Sequence, residues 1–580
     1  MKRILISLLA LLLALSMLLV GCNEEPPTPD DPTPPENNGE QTNPPATDTT
    51  FKKTESYMPA AVYTQMKTYF EGAEKGFEVF DDRANAPFVS TDVFAIGNAK
   101  VKSITVPVFS TGEADGDGNF IFSLYILPND WATLRTDLAD LNDPIEVKIN
   151  AKEYGLEEKK VIRKFVKIDL SDYNITLSDK QTLGFSHKDD TLIPARVLTS
   201  GRDTATNAKY VPAKYMIDEW DVVGYYYYDN TEKVFSYTDN SLLFDFELER
   251  TYESEAAYTA LQAAKAQADA DYAKKLAAVK AAYGDKCFSL MGDSISTCSG
   301  VTNNPLIHPS LSLNDVHYTA NTAVYDYTKT YWGKLSVDTG MDLCVINAWS
   351  GGKAYGSARK NEGKDNMLTR SYNLTTSAGK KPDVIFLYYA VNDMITSPSS
   401  IQSTSSDDLF TGNMPTGNLY QRLTAADKTK TDKKIVEEWF AEVEQKARAG
   451  GYVADDPSTI TYRYEGEDFV SNLFVCWEAS YALSLQNIKR LHPDAELFSI
   501  TLPEANHNSS KQPRLGKANV IIRALAEYFG VTIVEQDNSE VNKANCHVYA
   551  RDAHGLHPNG RGHAAITKLI VETLYEKLPK

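Results

Sequence analysis

The stretch Cys287-Phe288-Ser289-Leu290-Met291-Gly292-Asp293-Ser294-Ile295-Ser296 organises the rest of this 580-residue chain. Its apolar run reads as a short buried strand, Gly292 and Asp293 supply turn chemistry, and Ser294 falls where the strand ends. A serine held at a rigid strand end becomes a nucleophile if an imidazole can take its proton and donors can hold the developing oxyanion. Taken alone, Gly-Asp-Ser fits a turn or a helix N-cap equally well.

Three later stretches add to it. Asn347-Ala348-Trp349-Ser350-Gly351-Gly352 follows the apolar run Leu343–Ile346, Ala390-Val391-Asn392-Asp393 follows Val384–Tyr389, and His557-Pro558-Asn559 precedes the last helical segment. In this order and at these strand ends, the four blocks resemble the SGNH (GDSL-type) hydrolases over roughly Lys286 to Lys580. The resemblance implies a serine ester hydrolase with Ser294 as nucleophile and His557 as base. It also implies an oxyanion hole built from the backbone N–H of Ser294, the backbone N–H of Gly351 and the side-chain amide of Asn392, with no metal and no organic cofactor. Two positions depart from the family pattern. Ala390 stands where a glycine is usual, and the aspartate normally three residues before the histidine is replaced by His554. Asp552, on the same short loop, is the favoured orienter of His557; a backbone carbonyl and His554 are the alternatives. The histidines at 547, 554, 557 and 563 invite a metal reading, but metal ligands usually repeat at helical or loop spacing with carboxylate or thiolate company, whereas His557 followed by Pro-Asn and a helix fits the family block and His563 falls in the first turn of that helix.

From Asp285 onward, strands are expected at Cys287–Met291, Leu343–Ile346, Val384–Tyr389, Glu496–Thr501 and Val531–Val534. Helices are expected at Tyr325–Ser336, Phe469–Leu491, Ala518–Phe529 and Gly562–Lys577. Such alternation predicts parallel pairing with right-handed crossovers, hence a three-layer α/β/α sandwich of flavodoxin-like type over 285–580. Ligands of such sheets bind beyond the carboxyl ends of the strands, where all the motif residues fall. An insertion at about 394–465, polar at first and then helical over Lys433–Ala449, is expected to cover the site.

Upstream, residues 1–22 read as an export segment: Lys2 and Arg3 precede the apolar run Ile4–Val20. Leu19-Val20-Gly21-Cys22 resembles a bacterial lipobox, which implies lipidation at Cys22 and a protein held by a lipid anchor on the outer face of a bacterial membrane. Residues 23–51, rich in Pro, Asp, Glu, Asn and Thr, read as a disordered tether. Over 52–250 the pattern is a helix at 54–75 and then short strands: Val101–Phe109, Phe120–Ile126, Ile145–Ile149, Val161–Ile168, Val222–Tyr228 and Leu242–Phe246. This predicts an all-β sandwich of jelly-roll type. Tyr225–Tyr228 could stack on sugar rings, but alternate strand residues face opposite ways, so at most two could line one site. The alanine-rich stretch 251–284 reads as a helical connector on propensity.

A formal charge of −19 argues against nucleic acid as a partner. The six cysteines show neither metal spacing nor a disulfide framework, and Cys287 and Cys344 read as buried thiols in core strands. Together these readings describe a surface-tethered serine esterase that removes O-acyl groups from a polysaccharide. A lipase or thioesterase of the same fold, or a catalytically impaired glycan-binding lipoprotein, are the alternatives.

Overall fold

The computed structural model describes residues 50–56, 60–72, 77–79, 88–90, 98–128, 143–178, 181–187, 192–197, 225–229, 234–238, 241–242, 244–296, 316–317, 328, 330–348, 354, 367–395, 419–449, 451–460, 462–465, 468–471, 477–504, 512–542, 546–549, 556–558 and 560–579. Cys22, Gly351, Asp552 and His554 lie outside these residues.

The catalytic-type half is built on a sheet of six parallel strands in the order Val316–His317, Asp342–Ala348, Cys287–Gly292, Val384–Tyr388, Glu496–Ile500, Thr532–Val534. The central strands are apolar along their whole length because both sheet faces are covered; every residue of Cys287–Gly292 and of Val384–Tyr388 is buried. Helices Glu255–Tyr283, Tyr331–Thr339 and Gly560–Lys577 pack on one another, and Asp432–Ala449, Trp477–Leu491 and Gln512–Phe529 form a second group. These two helical layers with the sheet between them make the expected α/β/α sandwich.

Strand order explains where the site lies. From Cys287–Gly292 the chain moves to one side, to Val316–His317 and Asp342–Ala348, and then to the other side, to Val384–Tyr388. The crossovers therefore diverge at the Cys287–Gly292 strand, and a crevice opens beyond the carboxyl end of a strand at such a switch point. Ser294 stands there.

The N-terminal half forms two antiparallel sheets. In one, Ala99–Thr111 pairs with Asp245–Tyr252, Val161–Asp169 and Leu192–Val197; the other runs Val234–Thr238, Tyr225–Asp229, Phe88–Ser90, Gln181–His187, Asn119–Pro128, Ile145–Asn150. Val101, Ile104, Val166 and Phe246 from the first and Phe122, Leu124, Val147 and Phe185 from the second close a common buried core, as a sandwich requires. The Tyr225–Asp229 strand is paired on both sides.

Two expectations of detail are corrected. The helix foreseen over 54–75 is a strand, Phe51–Ser56, followed by a helix at Ala60–Gly72; Lys52 to Ser56 complete a ladder on Asp245–Tyr252 that local propensity does not show. Phe469 belongs to a two-stranded hairpin, Tyr462–Glu465 with Asp468–Ser471, and the helix begins at Trp477. The insertion helix Asp432–Ala449 buries Ile435, Val436, Trp439, Phe440 and Val443 in the main core, so it belongs to the helical layer; the polar part of the insertion, 396–418, lies outside the described residues. These positions of the helix follow the i, i+1, i+4, i+5, i+8 pattern of a helix packed on one face.

The alanine-rich helix is also more than a link. Ser254 caps it, its Oγ accepting the Ala257 N–H at 3.1 Å, and its last turns dock on the α/β half. Val279 and Tyr283 are buried there, the Tyr283 hydroxyl donates to Glu496 at 2.9 Å, and Lys275 pairs with Glu572 at 2.8 Å.

Candidate active site

The turn after the central strand is shaped by close approaches. A Cβ on Gly292 would collide with Ser296 and crowd the Tyr388 carbonyl, so only glycine lets the chain turn there. Asp293 donates its backbone N–H to Tyr388 O at 3.3 Å, tying the turn to the neighbouring strand, and the Ser296 N–H returns to Asp293 O at 3.0 Å. The result presents Ser294 at the sheet edge, 9% exposed, with its Oγ 2.9 Å from Nε2 of His557. The two residues are 263 positions apart. With Nε2 as the acceptor from the serine hydroxyl, the ring proton resides on Nδ1, so the group that orients His557 must be an acceptor.

The loop bearing His557 is held by packing. Gly562, in the first turn of the C-terminal helix, lies so close to the Tyr549 backbone and Pro558 that a Cβ would clash with both. Pro558 itself is buried. Tyr331 ties the two ends of the site together. Its hydroxyl is 2.7 Å from Ser296 Oγ, its N–H donates to Nδ1 of His563 at 3.2 Å, and its carbonyl accepts from Thr567 at 2.9 Å. The indole of Trp332 adds a bond to Ser296 O at 3.2 Å. His563 is thereby a buried packing residue stacked on Tyr331. Among the described residues no cluster of three or more His, Cys, Asp or Glu is placed to hold a metal ion.

Register sets the ends of the two neighbouring strands on either side of the turn that bears Ser294. Gly292 pairs with Ala348 on one side and with Tyr388 on the other. The chain therefore leaves Ala348 and Tyr388 level with the turn that bears Ser294. Asn392 is 7% exposed, in the first turn of the helix Val391–Ile395. Ala390 just before it has φ 93°, a left-handed conformation that costs a side-chain-bearing residue energy. The departure from glycine at this position is thus a matter of backbone strain and not of steric bulk alone. Asp393, buried beside Asn392, accepts the Ala354 N–H at 2.8 Å and so anchors the far side of the Gly351 loop. Buried Arg514 donates to Met394 O at 3.3 Å and steadies the same short helix.

Asp293 is fully buried. Its Oδ1 accepts the Ile295 N–H at 3.0 Å, while Oδ2 has no hydrogen-bond partner among the described residues. Burial, opposed by the Ile295 N–H and the nearby His557, pushes its carboxyl up to about 7.

Residue-type reasoning finds Ser294, His557 and Asn392. It misses Tyr331, Ser296, Asp393 and Asp293 as supports, because their roles come from contacts across the fold; only the Asp residues next to Ser294 and Asn392 could have drawn notice.

Residues 286–440 match the family described as GDSL-like Lipase/Acylhydrolase. The matched segment includes Ser294, Gly351 and Asn392 and ends before His557. No curated protein matches the sequence significantly. Among solved structures, the chain is similar to a candidate GDSL-like lipase from Bacteroides ovatus at 18% identity, covering 49% of this chain and 96% of that one with a TM-score of 0.26. It is also similar to a family 2 carbohydrate esterase with a carbohydrate binding domain from Corynascus thermopiles at 12% identity, covering 86% and 98%, TM-score 0.26. A family two carbohydrate esterase from Clostridium thermocellum, in complex with cellohexaose, aligns at 10% identity over 85% and 91%, TM-score 0.26.

Proposed function

We propose that this protein hydrolyses acyl esters by attack of Ser294 on the ester carbonyl, with His557 as general base. The observation that carries the reading is the 2.9 Å contact between Ser294 Oγ and His557 Nε2 at the carboxyl end of the central parallel strand. His557 takes the hydroxyl proton as the Oγ–carbonyl bond forms and returns it to the departing alcohol; water then repeats the sequence on the acyl-enzyme. The tetrahedral oxyanion is held by the backbone N–H of Ser294, the backbone N–H of Gly351 and the amide of Asn392, and Asp552 accepts the Nδ1 proton of His557.

The substrate we assign is an O-acylated polysaccharide, and the acyl group acetyl. Supporting this are the export-type N-terminus with Cys22 in a lipobox-like setting, which would place the enzyme at the outer face of a bacterial membrane, and the β-sandwich appended to the hydrolase half. Acetate release from O-acetylated polysaccharides, compared with turnover of p-nitrophenyl acetate and of long-chain esters, tests the assignment. Preference for long acyl chains with no acetate released from glycan would replace it with a lipase.

A further inference from the structure

At the end of the sheet opposite the site, two thiols that the mechanism does not use meet. Cys287 opens the central strand and Cys344 lies in the neighbouring strand Asp342–Ala348; their sulfurs are 2.6 Å apart, and the residues are 1% and 3% exposed. Register explains the meeting. Phe288 pairs with Leu343 and Ser289 with Val345, so Cys344 is the extra residue of a bulge. A bulge re-aims one side chain, and here it turns Cys344 toward Cys287. Adjacent strands lie about 4.8 Å apart, close to the separation a disulfide bridges. With Val345 the two cysteines form a small apolar cluster separate from the main core. The Cys287 S–H is within 3.3 Å of the Lys381 carbonyl, and Lys380 pairs nearby with Asp342 at 3.4 Å, both side chains more than half exposed.

We propose that Cys287 and Cys344 form an intramolecular disulfide that staples the strand carrying Ser294 to the strand leading into the Gly351 loop. The oxidant is a small-molecule or protein disulfide. The Cys287 thiolate attacks one of its sulfurs and expels one thiolate. Cys344, after losing its proton, attacks the resulting mixed disulfide at the Cys287 sulfur, forming the Cys287–Cys344 bond and expelling the second thiolate. Two protein thiols are oxidised and one external disulfide is reduced to two thiols. Chemistry favours Cys287 as the first attacker. The Cys344 S–H donates to its sulfur and, with the Lys380 charge nearby, lowers the Cys287 thiol against the effect of burial, and a lowered thiol supplies more of the attacking thiolate. Cysteine spacing gave no sign of this pair, because the bulge that joins them is a property of strand register.

The test uses the full chain, reduced and then refolded with mixed reduced and oxidised glutathione, so it is independent of where the protein resides in the cell. Remaining thiols are alkylated under denaturing conditions and the protein is digested with trypsin without reductant. The expected result is loss of two thiols, with a cross-link between the peptides Cys287–Lys329 and Leu335–Lys353. Because Cys298 shares the first peptide, the cross-link must persist in Cys298→Ser and vanish in Cys344→Ser. Adding reductant should lower Tm by about 5–10 °C in the wild type, and not in Cys344→Ser. Full alkylation of both thiols after refolding, or a cross-link that disappears in Cys298→Ser, overturns the proposal.

Discussion

Replacing Asp293 by Asn removes an ionisation that burial has made costly. The unfolded chain ionises this carboxyl near 3.8, whereas the folded protein holds it protonated up to about 7. A raised carboxyl value means that the unfolded state loses its proton first. Stability from this group is therefore complete below about pH 4 and is lost as pH rises toward 7. At 1.36 kcal/mol per unit, the loss is about 4 kcal/mol by pH 7. Asn keeps an acceptor for the Ile295 N–H but places an NH2 where Oδ2 has no partner, at a cost of about 1–3 kcal/mol. Asp293→Asn should thus be less stable than wild type at pH 4 and more stable at pH 8. The change in the difference between those two pH values, about 4 kcal/mol, does not depend on the amide cost. Urea unfolding followed by tryptophan fluorescence reads it, since the buried Trp332, Trp439 and Trp477 report on the hydrolase half. Parallel stability curves for the two proteins from pH 4 to 8 would refute the assignment of a proton to buried Asp293.

Asn392→Ala should lower kcat about 10²–10³-fold while leaving the fold intact, because one preorganised oxyanion donor is lost; steady-state kinetics on p-nitrophenyl acetate read this. Ala390→Gly relieves about 1–3 kcal/mol of left-handed strain, offset by about 0.4–1 kcal/mol of added chain entropy and about 0.8 kcal/mol for the buried methyl. Thermal unfolding should therefore show Ala390→Gly as stable as wild type or slightly more so; a clear loss would mean the φ of 93° is not strained. Asp552→Asn should cost at least about 10²-fold in kcat, with His554→Ala much milder; near-wild-type turnover would hand the Nδ1 proton to a backbone carbonyl. A chain starting at Glu253, which keeps the docked helix Glu255–Tyr283, should retain turnover of a small ester and lose more on acetylated polymer, as the relative rates on the two substrates will show.

The parallel sheet was legible because its central strands, buried on both faces, are continuous apolar runs such as Val384–Tyr388. Three of the motif blocks were legible because each stands at the end of such a run, and the fourth because it precedes the last helix. What escaped notice depends on contacts between segments distant in sequence. Phe51–Ser56 is polar and alternates weakly, and it is a strand because Asp245–Tyr252 offers it an edge. The role of Tyr331 follows from reaching Ser296 and His563 at once, across 35 and 232 positions. The Cys344 bulge and the left-handed Ala390 are backbone states that residue type alone does not announce.

The central claim is that Ser294 is the nucleophile, and the rate of p-nitrophenyl acetate hydrolysis by Ser294→Ala, measured on the full chain, tests it most directly. The substitution removes the Oγ that lies 2.9 Å from His557 Nε2 and should leave thermal unfolding unchanged. Loss of the triad-type nucleophile in a well-studied serine protease costs about 10⁶ in kcat, so turnover should fall by at least about 10³-fold. A folded Ser294→Ala protein that keeps most of its activity would contradict the account.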